Sequence, residues 1–111
     1  MAILANLVID QGTDYNTTIN VEGNNGLPYD LTGFTARGQA RRTYNSVSAY
    51  NFQFTINRPT DGEIDMYAPA SITSTMKPGR YVYDVEIVET GTGDVTRVVE
   101  GQIEITPRVT R

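Results

Sequence analysis

The sequence predicts an all-β protein: a single immunoglobulin-like β-sandwich of about seven antiparallel strands that takes up residues 1–111 as one domain. Three observations predict it. Apolar and polar residues alternate in short runs, and Gly, Pro, Asn and Asp interrupt those runs at intervals of about ten residues. No stretch keeps a period of 3.6 long enough for a full helix. At 111 residues the chain can build one hydrophobic core but not two.

Taken in order, Ile3 to Ile9 is a first strand, closed by a turn at Asp10-Gln11-Gly12-Thr13-Asp14. In the second, Tyr15, Thr17, Ile19 and Val21 share one face. A loop rich in Gly and Asn follows from Gly23 to Pro28. From Phe34 to Arg42 the alternation is strict, with Phe34, Ala36, Gly38 and Ala40 on the apolar side and Thr35, Arg37, Gln39 and Arg41 on the polar side. Phe52, Phe54 and Ile56 point inward from a fourth strand that ends at Arg58-Pro59-Thr60-Asp61-Gly62, and Ile64 and Met66 from a fifth. Pro69 to Met76 has room for one short helical turn, because Ser71, Thr73, Ser74 and Thr75 compete for backbone hydrogen bonds.

Tyr81 to Val88 is apolar enough on both faces for a central strand covered on two sides. Gly91-Thr92-Gly93-Asp94 signals a hairpin into Val95 to Ile105, whose Gly101 marks a bulge or a close backbone approach. Tyr81, just after Lys77-Pro78-Gly79, reads either as a tyrosine corner or, like Tyr83, as a core aromatic. Phe52, Phe54, Tyr83, Val85, Val99 and Ile103 form the expected core, with Phe54→Ala costing about 3–5 kcal/mol.

Composition restricts function. There is neither Cys nor His, so thiol catalysis, Cys-based zinc sites and the usual general base are absent. No catalytic, cofactor-binding or metal-binding residue is expected, and no small-molecule substrate. A net charge of −4 lacks the positive field that holds nucleic acid. The longest apolar run is far below the roughly 20 residues that cross a bilayer, and Met1 to Ala5 lacks the basic start of a secretory leader. Asp61, Glu63 and Asp65 read as a solvated strand face, because calcium needs about six to eight oxygens at loop spacing. Asp84, Glu86 and Glu104 could pair as glycosidase carboxylates do, but they lie mid-strand with no cleft in view.

The charge feature that stands out is basic. Arg37, Arg41 and Arg42 with nearby Tyr44, and Arg108 and Arg111 at the chain end, are residue types enriched at interface hot spots. They are the candidate partner-binding residues, the competing reading being exposed charges on a solvated face. Ile3, Leu4, Leu7 and Ile9 can form an edge strand open to addition by a neighbour.

The run Leu27-Pro28-Tyr29-Asp30-Leu31-Thr32-Gly33-Phe34-Thr35-Ala36 resembles a stretch of small tailed-phage and prophage structural proteins. So do Pro59-Thr60-Asp61-Gly62-Glu63-Ile64, the segment from Pro78 to Glu86, and Val98-Val99-Glu100-Gly101-Gln102-Ile103. Related β-sandwich domains stand at the N-terminus of siphophage baseplate upper proteins. The resemblance implies a non-enzymatic virion protein, made in the host bacterial cytoplasm, that binds other virion proteins and copies of itself. A tail, baseplate or fibre-attachment adaptor is the first expectation. A capsid decoration protein is an alternative, as is a carbohydrate or host-surface binding module using Tyr15, Tyr29, Tyr44, Tyr50 or Tyr67.

Overall fold

Strands form where the alternation is strongest, and a computed structural model describes them over residues 3–23 and 25–110. The segments are β1 (Ile3–Leu4), β2 (Leu7–Asp10), β3 (Tyr15–Asn20), β4 (Phe34–Arg41), β5 (Tyr50–Asn51), β6 (Gln53–Arg58), β7 (Glu63–Ala68), β8 (Gly79–Glu89) and β9 (Val95–Thr106). A single helical turn, α1 (Ala70–Thr73), sits in the Ser/Thr-rich stretch expected to allow no more. Six segments build a large sheet in the order β1-β9-β8-β4-β5, with β2 also on β9; β3-β7-β6 is the smaller sheet. The two sheets form a β-sandwich. Its layers, β9-β8-β4 against β3-β7-β6, follow the G-F-C against B-E-D order of immunoglobulin domains.

One pairing departs from the antiparallel expectation. β1 and β2 run parallel to β9, as Ile3 opposite Val99 and Leu7 opposite Ile103 show. The expected first strand is also interrupted, at Ala5-Asn6. The Ala5 carbonyl turns inward to accept the Tyr83 hydroxyl (2.7 Å), and the Asn6 side chain takes the Gln102 N–H (3.0 Å). Gly101 makes this possible, since a Cβ there would collide with the Ala5 carbonyl. Of its two expected roles, Gly101 fills the close approach. The bulge lies nearby at Val98, where the β8–β9 register shifts between Val85 and Glu86.

The expected fourth strand changes sheets. Tyr50-Asn51 pairs with β4, while Gln53 to Arg58 pairs with β7, so Phe52 sits at the crossing and is buried. Phe54 is only half-buried, which corrects its place in the expected core. Its ring lies over Gly38, where a Cβ would come within 2.7 Å of it. Tyr83, Val85, Val99 and Ile103 are buried as expected, joined by Ile9, Leu31, Ile64 and Met76 in one cluster between the sheets. β8 is central in its sheet, but only its inner face is fully covered; its outer face is half-exposed.

Tyr81 forms the tyrosine corner. Its ring is buried and its hydroxyl donates to the Lys77 carbonyl at 2.7 Å, tying the start of β8 to the crossover before it. Tyr50 meets that ring edge-on at 5.8 Å.

Candidate functional site

Side chains of period two on β4, β8 and β9 put one set in the core and the other on the outer face of the large sheet. Register then decides which outer residues meet. Arg37 lies opposite Glu86, and Glu86 lies opposite Arg97; Gln39 lies opposite Asp84, and Asp84 opposite Glu100. The Val98 bulge brings Arg97 into this ladder, because without the extra residue Val98 itself would face Glu86.

The contacts follow the register. Arg37 Nε donates to Glu86 Oε1 at 2.9 Å, and Arg97 lies 3.4 Å from Asp84 and 3.8 Å from Glu100. Gln39 Nε2 donates to Asn51 Oδ1 at 2.7 Å. These pairs are exposed enough to add little stability, but they fix the directions in which the groups point. Burial, then the neighbouring Glu86, raises the Asp84 carboxyl above its ordinary value, an effect Arg97 only partly offsets. Together with Tyr44 these residues line an open depression of about 640 Å³ that also reaches Ala36, Gly38 and Phe54 at the β4 edge.

The expected basic cluster separates into distinct roles. Arg37 stays exposed on the outer face. Arg41 shares that face, but its guanidinium braces the following loop, donating to the Ser46 and Val47 carbonyls (2.5 and 3.3 Å) and to Gln39 Oε1 (3.1 Å). Arg42 turns away to the tyrosine corner. It lies 4.8 Å over the Tyr81 ring and donates to the carbonyls of Arg80 (3.2 Å) and Pro78 (3.3 Å). Tyr44 is exposed at the rim. Arg108 lies against Gly12 in the turn after β2 and does not line the depression, and Arg111 is outside the described residues.

The groupings weighed against plainer readings do not assemble. Glu104 pairs in register with Arg80, so the carboxylates beside Asp84 are Glu86 and Glu100 instead. Asp65 accepts hydrogen bonds from Thr18 (3.1 Å) and Asn57 (2.9 Å), and no metal-holding cluster occurs among the described residues. Tyr29 packs edge-on to Phe34 and Tyr50 onto Tyr81, while Tyr67 bonds Asp14, so the tyrosines do not share one platform. Sequence reasoning missed Arg97 and Glu100 as outer-face partners of β4 and β8. The signal that could have found them was the pair Val98-Val99, two adjacent apolar residues in an alternating strand, as a bulge produces.

No protein-family model and no curated protein matches the chain. Among solved structures, a family 123 glycoside hydrolase from Clostridium perfringens, analysed for glycolipid glycan hydrolysis, aligns over 97% of this chain with a TM-score of 0.41 and 14% identity. The chain spans 24% of that enzyme's length. No residue role carries over at that level of likeness.

Proposed function

We propose that the chain is a non-enzymatic structural protein of a tailed-bacteriophage particle, an adaptor of tail, baseplate or fibre attachment that binds other virion proteins. The sequence resemblance motivates this reading. The observation that carries it is a division of labour in the fold. The resembled motifs occupy scaffold positions: Asp30 closes its turn by accepting the Thr32 N–H (2.9 Å) and hydroxyl (2.6 Å), Gly62 takes a left-handed conformation at φ 67°, and Tyr81 pins the corner. Between those positions, Arg37 and Tyr44 stand exposed around one open depression, as the residue types of a docking face.

The test is cryo-EM of purified particles together with the incorporation of Arg37→Glu. Density for the chain on the tail or baseplate, with the variant folded but depleted from particles, is the expected result. Copies on the head lattice would make it a capsid decoration protein, and absence from particles would overturn the reading.

A further inference from the structure

The large sheet is incomplete along one side of β4. β5 pairs only with Gln39 and Ala40 before the chain crosses to the smaller sheet as β6. The last contact of that line is the Phe52 N–H donating to the Gly38 carbonyl at 3.3 Å. Gly38 therefore directs its backbone toward the vacated side, and the two-residue repeat of a strand directs Ala36 the same way. Ala36 has no hydrogen-bond partner there among the described residues. The other backbone direction, through Thr35, Arg37 and Gln39, is taken up by β8.

The side chains around this gap are graded. Toward the closed end Ala40 and Phe52 are buried, whereas Phe34, Ala36, Phe54 and Ile56 at the open end are all half-buried. An apolar mouth therefore lies between the sheets directly beneath the free edge. Above it, on the outer face, stands Arg37, which gives only its Nε to Glu86 and so keeps both terminal nitrogens for a second acceptor. Thr35 and Gln39, the neighbours of Arg37 on that face, carry no charge.

The geometry points to the Phe34–Gly38 edge of β4 as a strand-addition site. Its occupant is an extended segment of a partner protein, with apolar side chains alternating with acidic ones. Added in line with β5, such a segment hydrogen-bonds Ala36. Its apolar side chains enter the mouth over Ala36, Phe54 and Ile56, and its carboxylates meet the free side of Arg37. The inference deepens the reading of an assembly module by naming the partner's chemistry, but its test uses the isolated chain.

That test is an NMR titration of the isotopically labelled protein with a blocked hexapeptide alternating valine and glutamate. Saturable shifts at Phe34 to Gly38, Phe54 and Ile56, with slowed exchange of the Ala36 amide, are expected. Arg37→Glu should weaken this peptide about tenfold and favour the valine–lysine counterpart, a reversal that unfolding cannot imitate. Ala36→Pro, which removes the edge donor, should abolish the shifts if the variant melts normally.

No shifts at millimolar peptide, shifts elsewhere on the surface, or an unchanged charge preference in Arg37→Glu would overturn the proposal. Edge shifts that grow with protein concentration alone would also overturn it, by making a second copy the occupant. A failed titration leaves the virion reading intact, because that reading rests on particle content. Absence of the chain from particles likewise leaves the edge site intact.

Discussion

Replacing Gly101 with alanine tests how the N-terminal strand is held. A Cβ at this position would collide with the Ala5 carbonyl, so Ala5-Asn6 would have to leave β9. Three hydrogen bonds meet at that point: Ala5 N–H to the Glu100 carbonyl (2.9 Å), Tyr83 hydroxyl to the Ala5 carbonyl (2.7 Å), and Gln102 N–H to Asn6 Oδ1 (3.0 Å). At about 0.5–1.5 kcal/mol net for each, their loss costs roughly 1.5–4.5 kcal/mol. Removing a glycine also stiffens the unfolded chain, which offsets about 0.4–1 kcal/mol of this. A net loss of about 1–4 kcal/mol should lower the melting temperature by roughly 5–20 °C in a domain of this size. Tyr83→Phe removes one of the same bonds, so the double variant should lose less than the sum of the two singles. An unchanged melting temperature for Gly101→Ala, with the Ala5 and Asn6 amide resonances in place, would refute the reasoning.

Phe52→Ala should cost about 3–5 kcal/mol and Phe54→Ala roughly half of that, since Phe52 is buried at the sheet crossing and Phe54 only half-buried. Chemical denaturation measures both, and the reverse order would contradict the sheet switch at Phe52. A second expectation concerns acid. A raised Asp84 pKa means that its favourable contribution is complete below the ordinary value of 3.8 and is lost as pH rises through the folded value. Asp84→Asn should therefore melt no lower than the parent at neutral pH, with the difference closing as pH falls toward 3.8; destabilisation at neutral pH alone would give the Arg97 contact the larger role. A third concerns base: burial, and Tyr15 beside it, push the Tyr83 phenol up to about 12 from an ordinary 10.0. Its contribution is complete below 10 and lost as pH rises through 12, so Tyr83→Phe should flatten the alkaline fall in stability across that window. An equally steep fall in the variant would assign it to other tyrosines.

The fold was legible wherever alternation and turn chemistry agreed. Phe34 to Arg41 and Glu63 to Ala68 show both signals, and each lies in a strand with its expected apolar side inward; Tyr81 to Val88 also forms a strand, but the face expected to be covered, which carries Val82, Asp84 and Glu86, is half-exposed. The Gly91 to Asp94 hairpin was legible for the same reason, because turn residues and strand residues adjoin there; at Tyr81 the same adjacency left a corner and a core aromatic both open, and the buried ring with its hydroxyl on the Lys77 carbonyl is both. What alternation cannot express is which sheet a strand joins. Phe52, Phe54 and Ile56 read as one inward row, yet the chain passes between sheets at the first of them. The parallel pairing of β1 and β2 with β9 was illegible too, since it depends on contacts between chain ends about a hundred residues apart.

The candidate site shows the same limit at the level of single side chains. Arg37, Arg41 and Arg42 are near neighbours in sequence, and reading them as one basic stripe treats charge as the property that matters. In the fold, what each guanidinium can reach matters more. Arg42 follows the last residue of β4, where it reaches the Tyr81 ring and the Pro78 carbonyl. Arg41 stands where the loop to β5 begins and spends its donors on carbonyls of that loop. Arg37 lies mid-strand, tied to Glu86 through one nitrogen and beside the part of the β4 edge that β5 leaves uncovered. Of the three it therefore combines a fixed orientation with unused donors and an adjacent free backbone. An interface can exploit that combination without first breaking an internal contact.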